Sequence, residues 1–166
     1  MIHAGFTGTQ VGCKAPQVES LARFVRAVAA YADDALTFHH GDCIGGDATL
    51  HGVVRELGHR IELHPPLNWS KRAWCTLRDG EVAHEPDDYI PRNHAIVDAT
   101  SLLVATPREE SGEELRSGTW ATVRYARKLK RLIVIVRPSG LIEIPEVVGC
   151  SADTASMREW LLAALA

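Results

Sequence analysis

The fold is decided by the opening stretch Ile2-His3-Ala4-Gly5-Phe6-Thr7-Gly8-Thr9-Gln10, in which a short apolar run breaks into a turn before a helix-like segment. Gly5 and Gly8 carry no Cβ, so the backbone there can approach a bound group closely. Thr7, Thr9 and the backbone N–H groups of the turn are hydrogen-bond donors for an anion. Because many tight strand-to-helix turns contain glycine for geometry alone, the interpretation depends on the residues at the ends of the other strands.

The size and composition of the chain indicate one globular domain, residues 1–166. Hydrophobic residues make up 46% and charged residues 23%, and a formal net charge of -3 argues against a protein that mainly neutralises a nucleic-acid backbone. No apolar run approaches the roughly 18 residues of a membrane span, and no signal peptide is visible. The cysteines form no C-x-x-C pair, so we expect reduced thiols and a cytoplasmic location; they are Cys13, Cys43, Cys75 and Cys150.

Short apolar strands alternate with amphipathic helices along the chain. This alternation predicts an α/β fold of the Rossmann-like, doubly wound type, with a mainly parallel sheet and helices on both faces. Leu141 to Val148 fits either an edge strand or a loop, and the stretch from Leu67 to Pro91 is predicted to be irregular. The first strand is the apolar run that opens the stretch 2–10, and the later predicted strands are 35–39, 60–64, 101–105 and 132–136. The predicted helices are 16–31, 47–57, 92–98, 117–128 and 157–165.

Three polar, glycine-containing segments come after the first, second and fourth predicted strands. Since ligands of parallel sheets bind beyond the carboxyl ends of the strands, these segments are expected to meet at one rim. The second segment places Gly41, Asp42, Gly45 and Gly46 before a helix that starts near Asp47. Asp47 suits either a helix cap, the commoner role, or a bond to a ligand hydroxyl.

The third segment opens another helix with Ser117, Gly118, Thr119 and Trp120. The two hydroxyls and the glycine suit a phosphate at a helix N-terminus. Trp120 suits either a base or ribose contact or, more often for an early-helix tryptophan, core packing.

Positive charge occurs at two places that could serve an anionic ligand. Arg92, next to Asn93, suits bidentate phosphate recognition, or alternatively an exposed surface ion pair. Lys71 and Arg72 lie between two tryptophans and suit either nucleotide phosphates or a solvated surface.

A metal site is the weaker interpretation of the residues around the second segment. Their spacing lacks the tight paired ligands of a closed zinc site, so we predict neither a metal nor a cofactor; the residues concerned are His39, His40, Cys43, Asp47 and His51. The chain also lacks a G-x-S-x-G elbow, a P-loop and a strict G-x-G-x-x-G pattern, which disfavours hydrolases, ATPases and dehydrogenases of those types.

Taken in order, four pieces resemble the Rossmann-like SLOG superfamily, which is named for the DNA-processing Smf/DprA proteins and the LOG enzymes. The pieces cover about residues 2–137, leaving a C-terminal helical extension of about 152–166; they are 5–9, 40–47, Arg92-Asn93 and 117–120. The resemblance implies a nucleotide or nucleotide derivative at the strand ends. It also implies association into a homodimer or a higher homo-oligomer.

LOG enzymes are phosphoribohydrolases whose signature carries a glutamate where Thr122 stands here, and Arg92 matches their active-site arginine. Without that carboxylate the resemblance favours a sensor or carrier over an enzyme, and catalytic residues stay unassigned. Asp42, Asp47, Glu113 or Glu114 are candidate substitutes. The alternatives are a phosphoribohydrolase acting on nucleoside 5′-monophosphates and, disfavoured by the net charge, a nucleic-acid-handling module; no membrane partner is expected.

Overall fold

A computed structural model describes residues 1–166 and confirms the predicted α/β class. One sheet has the strand order β4-β3-β2-β1-β5-β6-β7, and only β7 is antiparallel to its neighbour. The strands are β1 Ile2–Gly8, β2 Leu36–His40, β3 Arg60–Leu63, β4 Val82–Ala83, β5 Leu102–Thr106, β6 Leu132–Val136 and β7 Ile142–Glu143. The helices are α1 Ala15–Tyr31, α2 Gly46–Glu56, α3 Tyr89–Asp98, α4 Gly118–Lys128 and α5 Ala152–Leu165.

Helices cover both faces of the sheet, as the near-continuous apolar strands predict. On one face, α1, α2 and α5 pack on the larger hydrophobic cluster, which contains Phe6 and Phe38 from the strands. On the other face, α3 and α4 pack on a smaller cluster around Trp120. Because neighbouring strand residues point to opposite faces, each central strand contributes to both faces of the sheet.

The strand order reverses beside β1. The chain runs outward from β1 through β2 to β3 on one side, and continues from β5 to β6 on the other. The loop after β1 leads to α1 on one face and the loop after β5 leads to α4 on the opposite face. These two loops therefore separate at the carboxyl ends of adjacent strands, which is the geometry that opens a ligand crevice in this kind of sheet.

The stretch from Leu67 to Pro91, predicted to be irregular, contains regular structure. It holds a 3₁₀ turn over Trp69–Lys71, strand β4, and the first residues of α3. Strand β4 has only two residues, both exposed, so no apolar periodicity marks it and its pairing with β3 defines it. Helix α3 begins at Tyr89 because Pro91 lies in its first turn, where a missing N–H costs no hydrogen bond.

The C-terminal part settles the choice left open for Leu141 to Val148, where Ile142–Glu143 forms an edge strand against β6. Helix α5 starts at Ala152 and packs Met157 and Leu161 into the larger cluster. No helix combines the length and the apolar character needed to cross a bilayer.

Candidate ligand-binding site

Three adjoining cavities form one cleft along the carboxyl ends of the strands. Gln10 and Tyr89 line all three cavities and so connect them. The α4 cavity, of about 350 Å³, is lined by Gly8, Thr9, Gln10, Tyr89, Arg108, Glu114, Arg116, Ser117, Gly118 and Thr119. The loop cavity, of about 260 Å³, is lined by Gln10, Cys43, Pro66, Leu67, Asn68, Lys71, Asp87, Asp88 and Tyr89. The small central cavity between them is lined by Phe6, Thr7, Gly8, Gln10, Cys43, Asp47, Tyr89, Arg92 and Asn93.

The α4 cavity presents hydrogen-bond donors and positive charge to an anion. Ser117 caps α4 by accepting a bond from the Trp120 N–H at 3.4 Å. The N–H groups of Gly118 and Thr119 precede the first intrahelical donors, so they are available to a ligand. Arg108 and Arg116 line the same cavity, and the helix dipole adds to their potential.

Gly118 is required at the start of α4 because of its neighbour. A Cβ at this position would overlap the Tyr89 hydroxyl and ring. Tyr89 is the first residue of α3, and it lines both the α4 cavity and the loop cavity. The glycine therefore lets two helix N-termini, those of α3 and α4, approach each other at the cleft.

Arg92 is a buried cation with few partners. Its side chain is 4% exposed, and its nearest carboxylate, Asp47 Oδ2, lies 3.8 Å from Nη1. Nη2 donates to the Cys43 sulfur at 3.2 Å, and Nε has no hydrogen-bond partner. A Cβ at Gly41 would overlap the guanidinium, so that glycine makes room for it. A buried guanidinium with unused donors beside a cavity suits an anionic ligand.

Asp47 lies opposite Arg92 in the central cavity and has an unusual pKa. Its Oδ2 accepts a bond from the Cys43 N–H at 3.0 Å. Burial raises the pKa of Asp47 to about 6, although the Arg92 guanidinium and the Cys43 N–H act in the opposite direction. Near neutral pH this carboxyl group can both give and take a proton, a property more common at functional sites than elsewhere.

The Asp47→Asn variant is expected to be more stable than the parent protein at pH 8, by up to about 3 kcal/mol. The pKa of Asp47 is about 6 in the folded protein and 3.8 in the unfolded chain. Between pH 3.8 and pH 6 the folded protein therefore holds this proton more tightly than the unfolded chain does, and the free energy of unfolding falls as pH rises through this range. The stabilisation by asparagine should therefore vanish near pH 4. Urea titrations at both pH values test this, with the exposed Asp79→Asn as control. Equal differences between parent and variant at both pH values would contradict the assigned shift.

The predicted site residues divide into two groups. Nine line the cleft: Thr7, Gly8, Thr9, Asp47, Arg92, Asn93, Ser117, Gly118 and Thr119. The other six, Gly5, Gly41, Asp42, Gly45, Gly46 and Trp120, line none of its three cavities. Arg92 and Asn93, at the start of the helix predicted over 92–98, lie inside α3 on its buried side, because α3 begins three residues earlier, at Tyr89.

Most of the six predicted site residues that lie outside the cavities allow close packing between strands, helices and loops. A Cβ at Gly5 would lie 2.8 Å from Thr100 Oγ1, so Gly5 lets the end of α3 pack on β1. Gly45 has a φ of +90°, and a Cβ there would overlap the Gln10 carbonyl. Gly46 packs directly on the Gly8 backbone. Gly45 and Gly46 thus pack the loop after β2 against the end of β1 and the loop that follows it, and all three glycines serve close packing between elements.

Asp42 and Trp120 lie below the cleft. The Asp42 carboxylate is fully buried and accepts bonds from Arg72 Nε at 2.6 Å and from the Cys75 N–H at 2.8 Å. The Trp120 side chain is fully buried in the smaller cluster, and its Nε1 donates to Glu109 Oε2 at 2.9 Å. Neither side chain presents a surface to the three cavities.

Thr122, which the sequence resemblance places at the position of the LOG glutamate, makes internal bonds. Its Oγ1 donates to the Gly118 carbonyl at 3.0 Å and accepts from Asn93 Nδ2 at 2.9 Å. Among the candidate substitutes, Glu113 pairs with Arg127 on the surface, while Glu114 lines the α4 cavity. Asp47 is the only one of them in the central cavity.

Sequence reasoning missed Tyr89, Gln10 and Arg108 as lining residues. Tyr89 falls in the stretch for which the sequence predicts no regular structure. The signal that could have revealed it is Asp88 followed by Pro91, a pattern typical of a helix start. Gln10 and Arg108 come shortly after β1 and β5, and only the position of the loops brings them to the cleft.

No protein-family model and no curated protein sequence matches this chain. Among solved structures, it is similar to the molybdenum cofactor binding protein of Rippkaea orientalis, with a TM-score of 0.61 and 12% identity over 82% of this chain and 76% of that one. The molybdenum cofactor carrier protein of Chlamydomonas reinhardtii is similar with a TM-score of 0.55 and 17% sequence identity, over 81% of this chain and 75% of that one. DNA processing protein A of Streptococcus pneumoniae is similar with a TM-score of 0.58 and 13% sequence identity, over 98% of this chain and 56% of that one.

These likenesses show that the chain shares the Rossmann-like α/β fold of these proteins, one of which is a DNA processing protein A, the kind of protein for which the SLOG superfamily is named. At such low identity they establish the fold and leave the ligand to be argued from the cleft itself.

Proposed function

We propose that this protein binds a nucleotide or a nucleotide derivative, as a sensor or carrier. The observation that carries the proposal is the continuity of the cleft from the open N-terminus of α4 to the buried Arg92 guanidinium. A phosphate group fits the free N–H groups of Gly118 and Thr119, with Arg116 beside them. The sugar then lies over the central cavity near Asp47, and the base extends towards the loop cavity.

Two of the similar structures support a carrier function. Both molybdenum cofactor proteins are described as binding or carrying a small molecule. The cleft has the chemistry for such a task, because polar groups line a cavity open to solvent and Thr122 stands where LOG enzymes have a glutamate. Cytoplasmic location, the single domain over 1–166 and the homo-oligomer stay predictions.

Saturating AMP or ADP-ribose is expected to raise the melting temperature by about 5 °C or more, since binding at 100 times Kd adds about 2.7 kcal/mol to the free energy of unfolding. Adenosine, the matched control without phosphate, should leave the melting temperature unchanged. Differential scanning calorimetry measures the shift, and chromatography afterwards should recover the nucleotide intact. Equal shifts with adenosine, or none across a panel of phosphorylated nucleosides, would refute the proposed site.

A second candidate function, hydrolysis of a nucleoside 5′-monophosphate, is favoured by one observation. Asp47 supplies a buried carboxyl group in the central cavity with a pKa of about 6, which suits a general acid or base near neutral pH. It therefore offers a substitute for the glutamate that Thr122 replaces. Release of free base from AMP that disappears in Asp47→Asn would establish this activity, and complete recovery of AMP would exclude it.

A further inference from the structure

A cluster of four histidines and one glutamate lies on the sheet outside the cleft. We call this group the histidine cluster; its members are His3, His39, Glu62, His64 and His84, and none of them lines the three cavities. They come from β1, β2 and β3 and from the ends of β3 and β4. His3, His39 and Glu62 alternate with residues of the larger hydrophobic cluster, so they point to the opposite face of the sheet.

One ring nitrogen from each of His39, His64 and His84 lies close to the others, and Glu62 lies close to His39 and His84. His39 Nδ1 lies 3.1 Å from His64 Nε2 and 3.7 Å from Glu62 Oε2. His84 Nε2 lies 3.0 Å from Glu62 Oε2, and one ring nitrogen from each of His39, His64 and His84 falls within 4.8 Å of the others. Ligands about 2.0–2.1 Å from a tetrahedral zinc ion are separated by roughly 3.4 Å. Small side-chain movements would therefore bring these atoms to a common centre.

The surroundings suit a bound cation. His3 Nδ1 and His39 Nε2 are 2.7 Å apart, so His3 can hold the second nitrogen of His39 and orient its ring, as outer partners do for metal-binding histidines. The side chains of Glu62 and His84 are 24% and 43% exposed, which leaves a path from solvent.

We propose that His39, His64 and His84, together with Glu62, bind a divalent transition-metal ion of the zinc type, with His3 as a positioning residue for His39. Imidazole nitrogens with one carboxylate favour zinc, cobalt, nickel or copper(II) over magnesium or calcium, which prefer oxygen ligands. The site differs from the metal interpretation of the sequence, which concerned residues 39–51 and led to a prediction of no metal. Its ligands are distributed over residues 39–84, so no short motif marks them.

The test is titration of the full-length, chelator-stripped protein with Zn²⁺ by calorimetry and with Co²⁺ by visible absorption. We expect one equivalent of either ion and the d–d bands of four-coordinate Co²⁺ with nitrogen and oxygen ligands. His84→Asn, at a partly exposed position that the fold tolerates, should weaken Zn²⁺ binding at least 100-fold, and His3→Asn about 10-fold. His94→Asn, a histidine stacked on Tyr125 outside the cluster, is the matched control and should bind as the parent does.

Two outcomes would overturn the proposal. The first is less than half an equivalent of tightly bound Zn²⁺, or equal affinity in the parent and His84→Asn proteins. The second is a sulfur-to-cobalt charge-transfer band with loss of binding in His51→Asn. That result would assign the ion to the separate group of His40, His51 and Cys75.

Discussion

Replacing Asp42 by alanine is expected to lower the free energy of unfolding by about 3 kcal/mol, the lower end of the cost of breaking a buried ion pair. Asp42 is fully buried, and its carboxylate accepts from Arg72 Nε at 2.6 Å and from the Cys75 N–H at 2.8 Å. Its own carbonyl accepts from the Ala73 N–H at 2.7 Å. Asp42 thus attaches the segment 72–75, which belongs to the long connection between β3 and β4, to the end of β2. Arg72 keeps 18% of its side chain exposed, so solvent reduces the penalty.

Asp42→Asn is the matched control for this prediction. Asparagine keeps an acceptor for the Cys75 N–H and tolerates the φ of +52° at this position. Its NH2 group then faces Arg72 Nε, so both the charge and the hydrogen bond to Arg72 are lost while the bond to Cys75 is kept, and we expect about half the loss seen with alanine. Urea unfolding of the three proteins at pH 7, with unchanged m values, measures both differences. A loss below about 1 kcal/mol for alanine, or the same loss for both variants, would show that Asp42 does not anchor the loop.

Replacing Arg92 by methionine is expected to weaken nucleotide binding about 100-fold, or about 3 kcal/mol, while the protein stays folded. Arg92 is the one buried cation in the central cavity, and its Nε is unpaired. The only carboxylate near it, Asp47, is 3.8 Å away. We expect Arg92→Met to stay folded because the guanidinium donates only one hydrogen bond in the free protein, to the Cys43 sulfur, and because Asp47, whose pKa is already about 6, can take up a proton when the cation is removed.

One further variant separates charge from geometry at position 92, and a second variant, at position 26, serves as the control. Arg92→Lys keeps the charge but loses the planar fork, so we expect about 10-fold weaker binding. Arg26→Met removes an exposed arginine from α1 and should bind as the parent does. Isothermal titration with AMP or ADP-ribose provides the affinities, and thermal unfolding confirms that each variant is folded. Unchanged affinity in Arg92→Met would remove Arg92 from the proposed site; a variant that fails to fold would show that Asp47 depends on it for stability.

The candidate site could be predicted only in part. Three of the segments that line the cleft are those that the sequence indicates, because each comes after a parallel strand and the carboxyl ends of such strands share one edge. The connection after β3 also lines the cleft, through Pro66, Leu67, Asn68 and Lys71. Which residues of those loops face the cleft depended on packing. Gly46 faces the Gly8 backbone and Trp120 faces the core, whereas Thr9 and Ser117 line the α4 cavity.

By itself, the sequence determined the class of fold and the edge of the sheet at which a ligand would bind. Strands such as Leu132–Val136 are apolar throughout, and only a sheet covered on both faces buries them completely. The opening turn was predicted only in part, because Gly5, Thr7 and Gly8 belong to β1 and the chain turns at Gln10 and Val11.

Only the tertiary structure decided how the groups at that edge combine. Asp47 and Arg92 are far apart in the sequence, and their separation of 3.8 Å results from the placement of α2 and α3 beside β1. The raised pKa of Asp47 has the same origin, since burial is a property of the packed fold. The histidine cluster likewise exists because parallel pairing sets His39 beside Glu62 on one side. On the other side it sets His39 beside Gly5, so that His3, two residues before Gly5 on the same face of β1, comes close to His39. Such long-range neighbours leave no periodic pattern in the chain, so the sequence alone could not reveal them.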